Sequence, residues 1–128
     1  ADPGGFASRQ LTAPMMASAD LVLALTREHR ATALAEHPRA LRRTFTLREL
    51  ARLTAEVRPE ALGDGSQTTA AERLSALLPL AASRRGSRGH RPEQDDVVDP
   101  WRRSEATYRE SMRQITEALE VITAAIAR

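Results

Sequence analysis

The group in this sequence best suited to chemistry is an acidic residue followed by a proline and a large aromatic residue, Asp99-Pro100-Trp101. A carboxyl group can donate and accept a proton, and the proline restricts the backbone of Asp99 to extended conformations. The indole ring beside it can line a slot for a second ring. Because Asp-Pro is also an ordinary turn signal before a helix, the residues alone leave both interpretations of Asp99 open.

Composition excludes several other kinds of site. The 128-residue sequence contains no Cys, so it has neither a disulfide framework nor a thiol nucleophile, and its three His residues are scattered, which predicts no metal site. The formal net charge of +2 is too small to indicate nucleic-acid binding. No apolar run is long enough to span a bilayer and no signal peptide opens the sequence. We therefore expect a cytoplasmic protein without membrane contact.

Two short strands, each running into a helix, are predicted to position the site. Leu21 to Leu25 is apolar at every position, which is typical of a parallel strand covered on both faces. Thr26 is expected to cap the following helix, which ends before Pro38. Arg43 to Phe45 predicts a second strand, with Thr46 as the cap of the next helix. This alternation of strands and helices predicts an α/β layer fold.

The middle of the chain is predicted to contain one further helix and a loop. Thr69 and Glu72 have the spacing of a capping box, in which each side chain bonds to an exposed backbone N–H of the other residue. Pro79 is expected to disturb the helix that they start. Residues 83–95 are rich in Arg and Gly, and they predict a flexible loop within the domain.

The last third of the chain is predicted to lead through Asp99 into a long helix. Val97 and Val98 indicate a short third strand that ends at Asp99. Ser104 is expected to cap the final helix. Apolar residues at alternating spacings of four and three predict its buried stripe. They are Tyr108, Met112, Ile115, Leu119, Ile122 and Ile126.

From about Phe6 onward, the sequence resembles the low-molecular-weight protein tyrosine phosphatase family in its bacterial form. The resemblance is carried by residues 19–30, residues 42–53 and Asp99-Pro100-Trp101. The resemblance implies a three-layer α/β fold of the phosphotyrosine phosphatase I type, with a short parallel sheet flanked by helices. It also implies hydrolysis of protein phosphotyrosine through a phosphocysteine, without metal or organic cofactor. Asp99 would be the general acid. Trp101 would line the substrate slot or, alternatively, pack as an anchor against the last helix.

One part of the family pattern is missing from this sequence. The family's nucleophile is a Cys followed by five residues and Arg-Ser/Thr, in a loop whose amides bind phosphate at a helix N-terminus. That motif does not occur here, and the family's first strand, phosphate loop, first helix and second strand are all unmatched. We therefore expect residues 1–128 to form a single incomplete phosphatase-like domain that lacks its N-terminal strands and is inactive by itself.

The missing block leaves two functional interpretations. The first is a phosphatase-like domain whose strand Leu21 to Leu25 needs an upstream segment or a second copy of the chain beside it, because an unpaired apolar strand edge favours aggregation. The second is a catalytically inactive binding or regulatory module of the same fold. Nucleic-acid binding by the Arg/Gly loop is not favoured, since the loop lacks interleaved aromatic residues.

Overall fold

The computed structural model describes residues 21–64, 67–86, 91–98 and 104–127, and within these ranges the chain forms two short strands and four α-helices. These elements are β1 (Val22–Ala24), α1 (Arg27–Glu36), β2 (Thr44–Thr46), α2 (Leu47–Thr54), α3 (Ala70–Ser83) and α4 (Glu105–Ile126). Short 3-10 helices span Pro38–Arg43, Pro59–Leu62 and Pro92–Asp95. The described part of the chain is therefore mostly helical.

The two strands pair in parallel. Val22 lies opposite Thr44, and Ala24 lies opposite Thr46. Parallel neighbours need a crossover connection, which α1 and the 3-10 helix Pro38–Arg43 provide. The predicted α/β class is thus consistent with the structure, in the form of a small parallel sheet within a mostly helical domain.

Hydroxyl side chains begin the helices where the sequence predicts them. Thr26 Oγ1 accepts a hydrogen bond from the His29 N–H at 3.1 Å, and Ser104 caps α4 in the same way. The Thr69 N–H donates to the carboxylate of Glu72 at 2.8 Å, and the Glu72 N–H donates back to the Thr69 hydroxyl. Each cap satisfies N–H groups that have no partner within the helix. These predicted helix starts are confirmed.

The main core lies among α2, α3 and α4, with β2 against it. It comprises Phe45, Leu47, Leu50, Ala51, Leu53, Leu62, Leu77, Leu78, Ala81, Ala118 and Ile122. Fully burying one large side chain of this kind contributes roughly 1.5–3 kcal/mol. Packing of helix on helix, rather than the two three-residue strands, therefore supplies most of the apolar burial.

Pro79 does not interrupt α3, although the sequence predicts a disturbance there. The helix continues through this residue to Ser83. An interior proline removes one backbone hydrogen bond and costs about 3 kcal/mol. The adjacent Leu77 and Leu78 are buried in the core, and their packing offsets that cost.

The buried face of α4 differs from the predicted apolar stripe. The helix buries Ser111, Gln114, Ala118 and Ile122. Of the six predicted residues, Ile122 is buried, Ile115 and Ile126 are partly buried against the core, and Tyr108, Met112 and Leu119 are exposed. Two causes are visible: small residues let α4 pack against α2, and the amide of Gln114 bonds to the backbone of Val98.

Candidate functional site

The chain that leads into residues 99–101 crosses the carboxyl ends of both strands. The Val97 N–H donates to the Leu25 carbonyl, just after β1, at 2.9 Å. Thr46 Oγ1, at the end of β2, donates to the Asp95 carbonyl at 2.6 Å. The predicted site residues Asp99 and Trp101 lie outside the described residues. What the structure places is the backbone immediately before them.

Val97 and Val98 do not form the predicted third strand. Val97 is buried and bonds to the chain after β1, but the Val98 N–H donates to the side chain of Gln114 on α4, at 2.8 Å from its Oε1. A strand requires a repeated ladder of backbone bonds, and the Gln114 amide replaces the next partner. The sequence pattern does not reveal this contact, since a buried glutamine has the same spacing as an exposed one.

An ion pair attaches the same segment to the start of α1. The backbone N–H of Arg27 donates to Asp96 Oδ1 at 2.7 Å, and its Nη2 donates to Oδ2 at 3.2 Å. Burial acts to raise the pKa of Asp96, but the hydrogen bonds from Arg27 outweigh it and hold that pKa below its usual value. Asp96 is therefore ionised at neutral pH, which suits its place at a helix N-terminus.

Two arginines of α2 hold the segment from another direction. Arg52 Nε donates to Asp95 Oδ1 at 3.2 Å, and Arg48 Nη1 donates to the Asp96 carbonyl at 3.1 Å. Residues 95–98 are thus bonded to α1, α2, β2 and α4 together. Attachment to several elements at once fixes the backbone of residues 95–98.

A cleft of about 400 Å³ opens beside this segment. Its charged lining consists of Arg27, Arg30, Arg52, Arg85, Glu49 and Asp95. Leu34 and Leu41 contribute apolar surface. We refer to this feature as the arginine cleft. Each of the four guanidinium groups is paired with a carboxylate, and two of them share Glu49.

Glu49 is a buried carboxylate shared by two arginines of the cleft. Arg30 Nη1 donates to its Oε1 at 2.6 Å, and Arg85 Nε donates to its Oε2 at 3.2 Å. Glu49 also completes a capping box with Thr46, whose N–H donates to Oε1 at 3.0 Å. Thr46 therefore caps α2 as predicted, and Glu49 joins that cap to the arginine cleft.

Arg85 belongs to the predicted loop 83–95, and its side chain is docked on the strand region. The guanidinium carbon lies 4.2 Å from the centre of the Phe45 ring. The group also donates to the carbonyl of Leu41, at 2.7 Å, and to that of Thr44. These contacts tie the end of α3 to β2 and to the 3-10 helix before it. Flexibility of the loop as a whole stays a prediction.

Comparison of the chain with known protein families, curated proteins and solved structures finds no match. In residues 21–64, 67–86, 91–98 and 104–127, no three His, Asp or Glu side chains are grouped so that they could hold a metal ion. None of the helices in these ranges is long and apolar enough to cross a membrane. The described features that bear on function are residues 95–98 and the arginine cleft.

Proposed function

We propose that this chain is a domain of the low-molecular-weight protein tyrosine phosphatase type, with the three-layer α/β fold of that family. In complete form it would hydrolyse protein phosphotyrosine, with Asp99 as general acid. The observation that carries the proposal is the anchoring of residues 95–98 across the carboxyl ends of β1 and β2. Ligands of open α/β sheets bind at the carboxyl ends of the strands. The described residues just before Asp99 lie at that edge.

Asp99 would perform two proton transfers. Its carboxyl group donates a proton to the phenolic oxygen of tyrosine as the bond from phosphorus to that oxygen breaks. The resulting carboxylate then accepts a proton from the water that hydrolyses the phosphocysteine. Trp101 would line the slot for the tyrosine ring. The thiolate must come from outside these 128 residues, because they contain no Cys.

We further propose that the polypeptide bearing the nucleophile pairs with β1. In the part of the chain that the structure describes, β1 has one partner strand, β2. Leu23 and Leu25 are 42% and 37% exposed, which is unfavourable for an apolar strand edge. A monomeric, two-state unfolding transition of the 128-residue chain without aggregation would contradict the need for such a partner.

The intact mass of the native gene product in its own cells tests where the nucleophile resides. A mass well above the 14.1 kDa of this chain, with Cys, five residues and Arg in the additional sequence, would support the proposal. A mass that matches 128 residues would rule out cysteine catalysis by this polypeptide alone. A second polypeptide would then have to supply the thiol.

Asp99→Asn in the native gene product tests the role of the acid. We expect kcat for phenyl phosphate to fall by roughly 100- to 10,000-fold, the usual contribution of a positioned acid. The loss should be smaller for p-nitrophenyl phosphate, whose leaving group needs a proton less. Glu120→Gln, at an exposed position of α4, is the matched control. Equal turnover by the Asp99→Asn and unaltered proteins across the pH range would remove Asp99 from this role.

The absence of Cys favours a second candidate, a catalytically inactive binding or regulatory module. Such a module would act through protein contacts. The exposed apolar residues of α4 offer surface for them. They are Tyr108, Met112, Leu119 and Val121. Hydrolysis of phenyl phosphate by the native gene product, lost in Asp99→Asn, would contradict this candidate.

A further inference from the structure

We propose that the arginine cleft binds an oxyanion carried on a small apolar body, with Arg30 as its direct ligand. The proposal rests on the charges and free donors of the cleft. It is independent of the phosphatase chemistry above, since the argument requires neither Asp99 nor Trp101. Binding can therefore be tested on the 128-residue chain whether or not a nucleophile is present.

The first argument is an excess of positive charge around Glu49. This one carboxylate pairs with both Arg30 and Arg85, whose side chains are only 24% and 22% exposed. The other two arginines of the cleft are paired with further carboxylates, Arg27 with Asp96 and Arg52 with both Asp95 and Glu56. Charge that is partly removed from water is costly unless it is paired. The group of Glu49 and its two arginines therefore favours an anion in the cleft.

The second argument is the hydrogen-bonding capacity of Arg30. Its guanidinium group bonds to Glu49 through Nη1, and Nε and Nη2 have no protein partner within the described residues. Arg85 differs, because it uses all three nitrogens on Glu49 and two backbone carbonyls. The edge formed by Nε and Nη2 matches two oxygens of one phosphate or carboxylate group. Arg30 is thus the contact residue, and Arg85 positions Glu49.

The third argument is the apolar part of the lining. Leu34 of α1 and Leu41 of the 3-10 helix Pro38–Arg43 face the same cleft as the arginines, together with Ala31. The volume of about 400 Å³ falls in the range of small-molecule pockets, roughly 300–1,000 Å³. A bare phosphate ion would leave the apolar wall uncovered. A small aryl or alkyl oxyanion would cover it.

Calorimetric titration of the 128-residue chain with phenyl phosphate, at constant ionic strength in chloride, tests the proposal. We expect saturable binding that is tighter than that of inorganic phosphate, because the phenyl ring covers the apolar wall. Benzoate, titrated in parallel, distinguishes a carboxylate ligand from a phosphate ligand. Failure of both phenyl phosphate and benzoate to saturate the chain would overturn the proposal.

Two substitutions that change the charge of the cleft in opposite directions test the proposal further. Arg30→Gln should weaken binding by about tenfold or more, since it removes a charged pair of donors. Glu49→Gln should strengthen binding, because the amide keeps the capping-box acceptor and removes the competing negative charge. A purely structural role of Glu49 predicts no such gain. Arg109→Gln, an exposed arginine paired with Glu105 on α4, is the control and should leave affinity unchanged.

Arg30→Lys is a second variant that separates loss of binding from loss of folding. Lysine keeps the positive charge beside Glu49 but lacks the two-donor edge of the guanidinium group. We expect far-UV circular dichroism like that of the unaltered chain, together with weakened phenyl phosphate binding. A folded Arg30→Lys or Arg30→Gln chain with unchanged affinity would overturn the assignment of Arg30.

Discussion

β1 and β2 are parallel neighbours of equal length, but the more apolar strand is the less buried one. β1 is entirely apolar, yet Leu23 is exposed and only Val22 is buried. β2 has threonine at two of its three positions, yet all three residues are fully buried. β2 packs against α1, α2 and the 3-10 helix before it, whereas β1 packs chiefly on β2 and α1. Position among the helices, rather than apolar character, therefore decides which strand belongs to the core.

The buried threonines of β2 are tolerated because both hydroxyls have partners. Thr44 Oγ1 donates to the Ala40 carbonyl at 2.7 Å. Thr46 Oγ1 donates to the Asp95 carbonyl and accepts from the Glu49 N–H at 2.9 Å. A buried hydroxyl without a partner would cost about 1–3 kcal/mol. The polar residues of β2 thus connect the core to the chain that enters Asp99.

The largest contrast is expected between paired residues of the two strands, Phe45 and Leu23. Phe45→Ala should lower the free energy of unfolding by about 3–5 kcal/mol, because it removes a fully buried ring. It also removes the surface on which Arg85 stacks. Leu23→Ala should cost less than about 1 kcal/mol, as most substitutions at exposed positions do. Urea unfolding of both variants measures the difference, and equal losses would contradict the comparison.

The helix caps that follow the two strands should also differ in their contribution to stability, with the larger contribution from the cap after β2. Thr46→Ala is expected to cost about 2 kcal/mol, since it removes both a cap and the buried hydrogen bond to the Asp95 carbonyl. Thr26→Ala should cost about 0.5–1 kcal/mol, because that cap is more exposed and makes a single bond. The matched controls are Thr46→Ser and Thr26→Ser, which keep the hydroxyl. A larger loss in Thr26→Ala than in Thr46→Ala would overturn this ranking.

The smallest effect on stability is expected at low pH, from the ion pair between Arg27 and Asp96. The pKa of Asp96 is lowered in the folded chain, so its contribution to stability is present above the ordinary carboxyl pKa and is lost as pH falls through the folded value. The pair is partly exposed, which keeps the effect modest. We expect the urea midpoint to fall less between pH 7 and pH 3 in Asp96→Asn than in the unaltered chain. Identical decreases would assign the acid sensitivity to other carboxylates.

Short-range features of the fold were predictable from the sequence, and contacts between distant residues were not. The caps at Thr26, Thr69 and Ser104 form as expected because each needs only a hydroxyl three residues before an exposed N–H. The bond from Val98 to Gln114 joins α4 to residues 95–98 without any local sequence signal. Hydrophobic spacing identifies residues that share a helix face, but the neighbours decide which face is buried. For this reason the predicted stripe of α4 is confirmed at Ile115, Ile122 and Ile126 and wrong at Tyr108, Met112 and Leu119.

The amino-acid sequence by itself determined where the helices begin and that no cysteine chemistry resides in these 128 residues, because both follow from residue identity and near neighbours. Only the tertiary structure decided that β2 is buried more deeply than β1. It also decided that residues 95–98 cross both strands, and that two arginines share Glu49. These features depend on packing and hydrogen bonds between residues far apart in the chain, which no local pattern encodes.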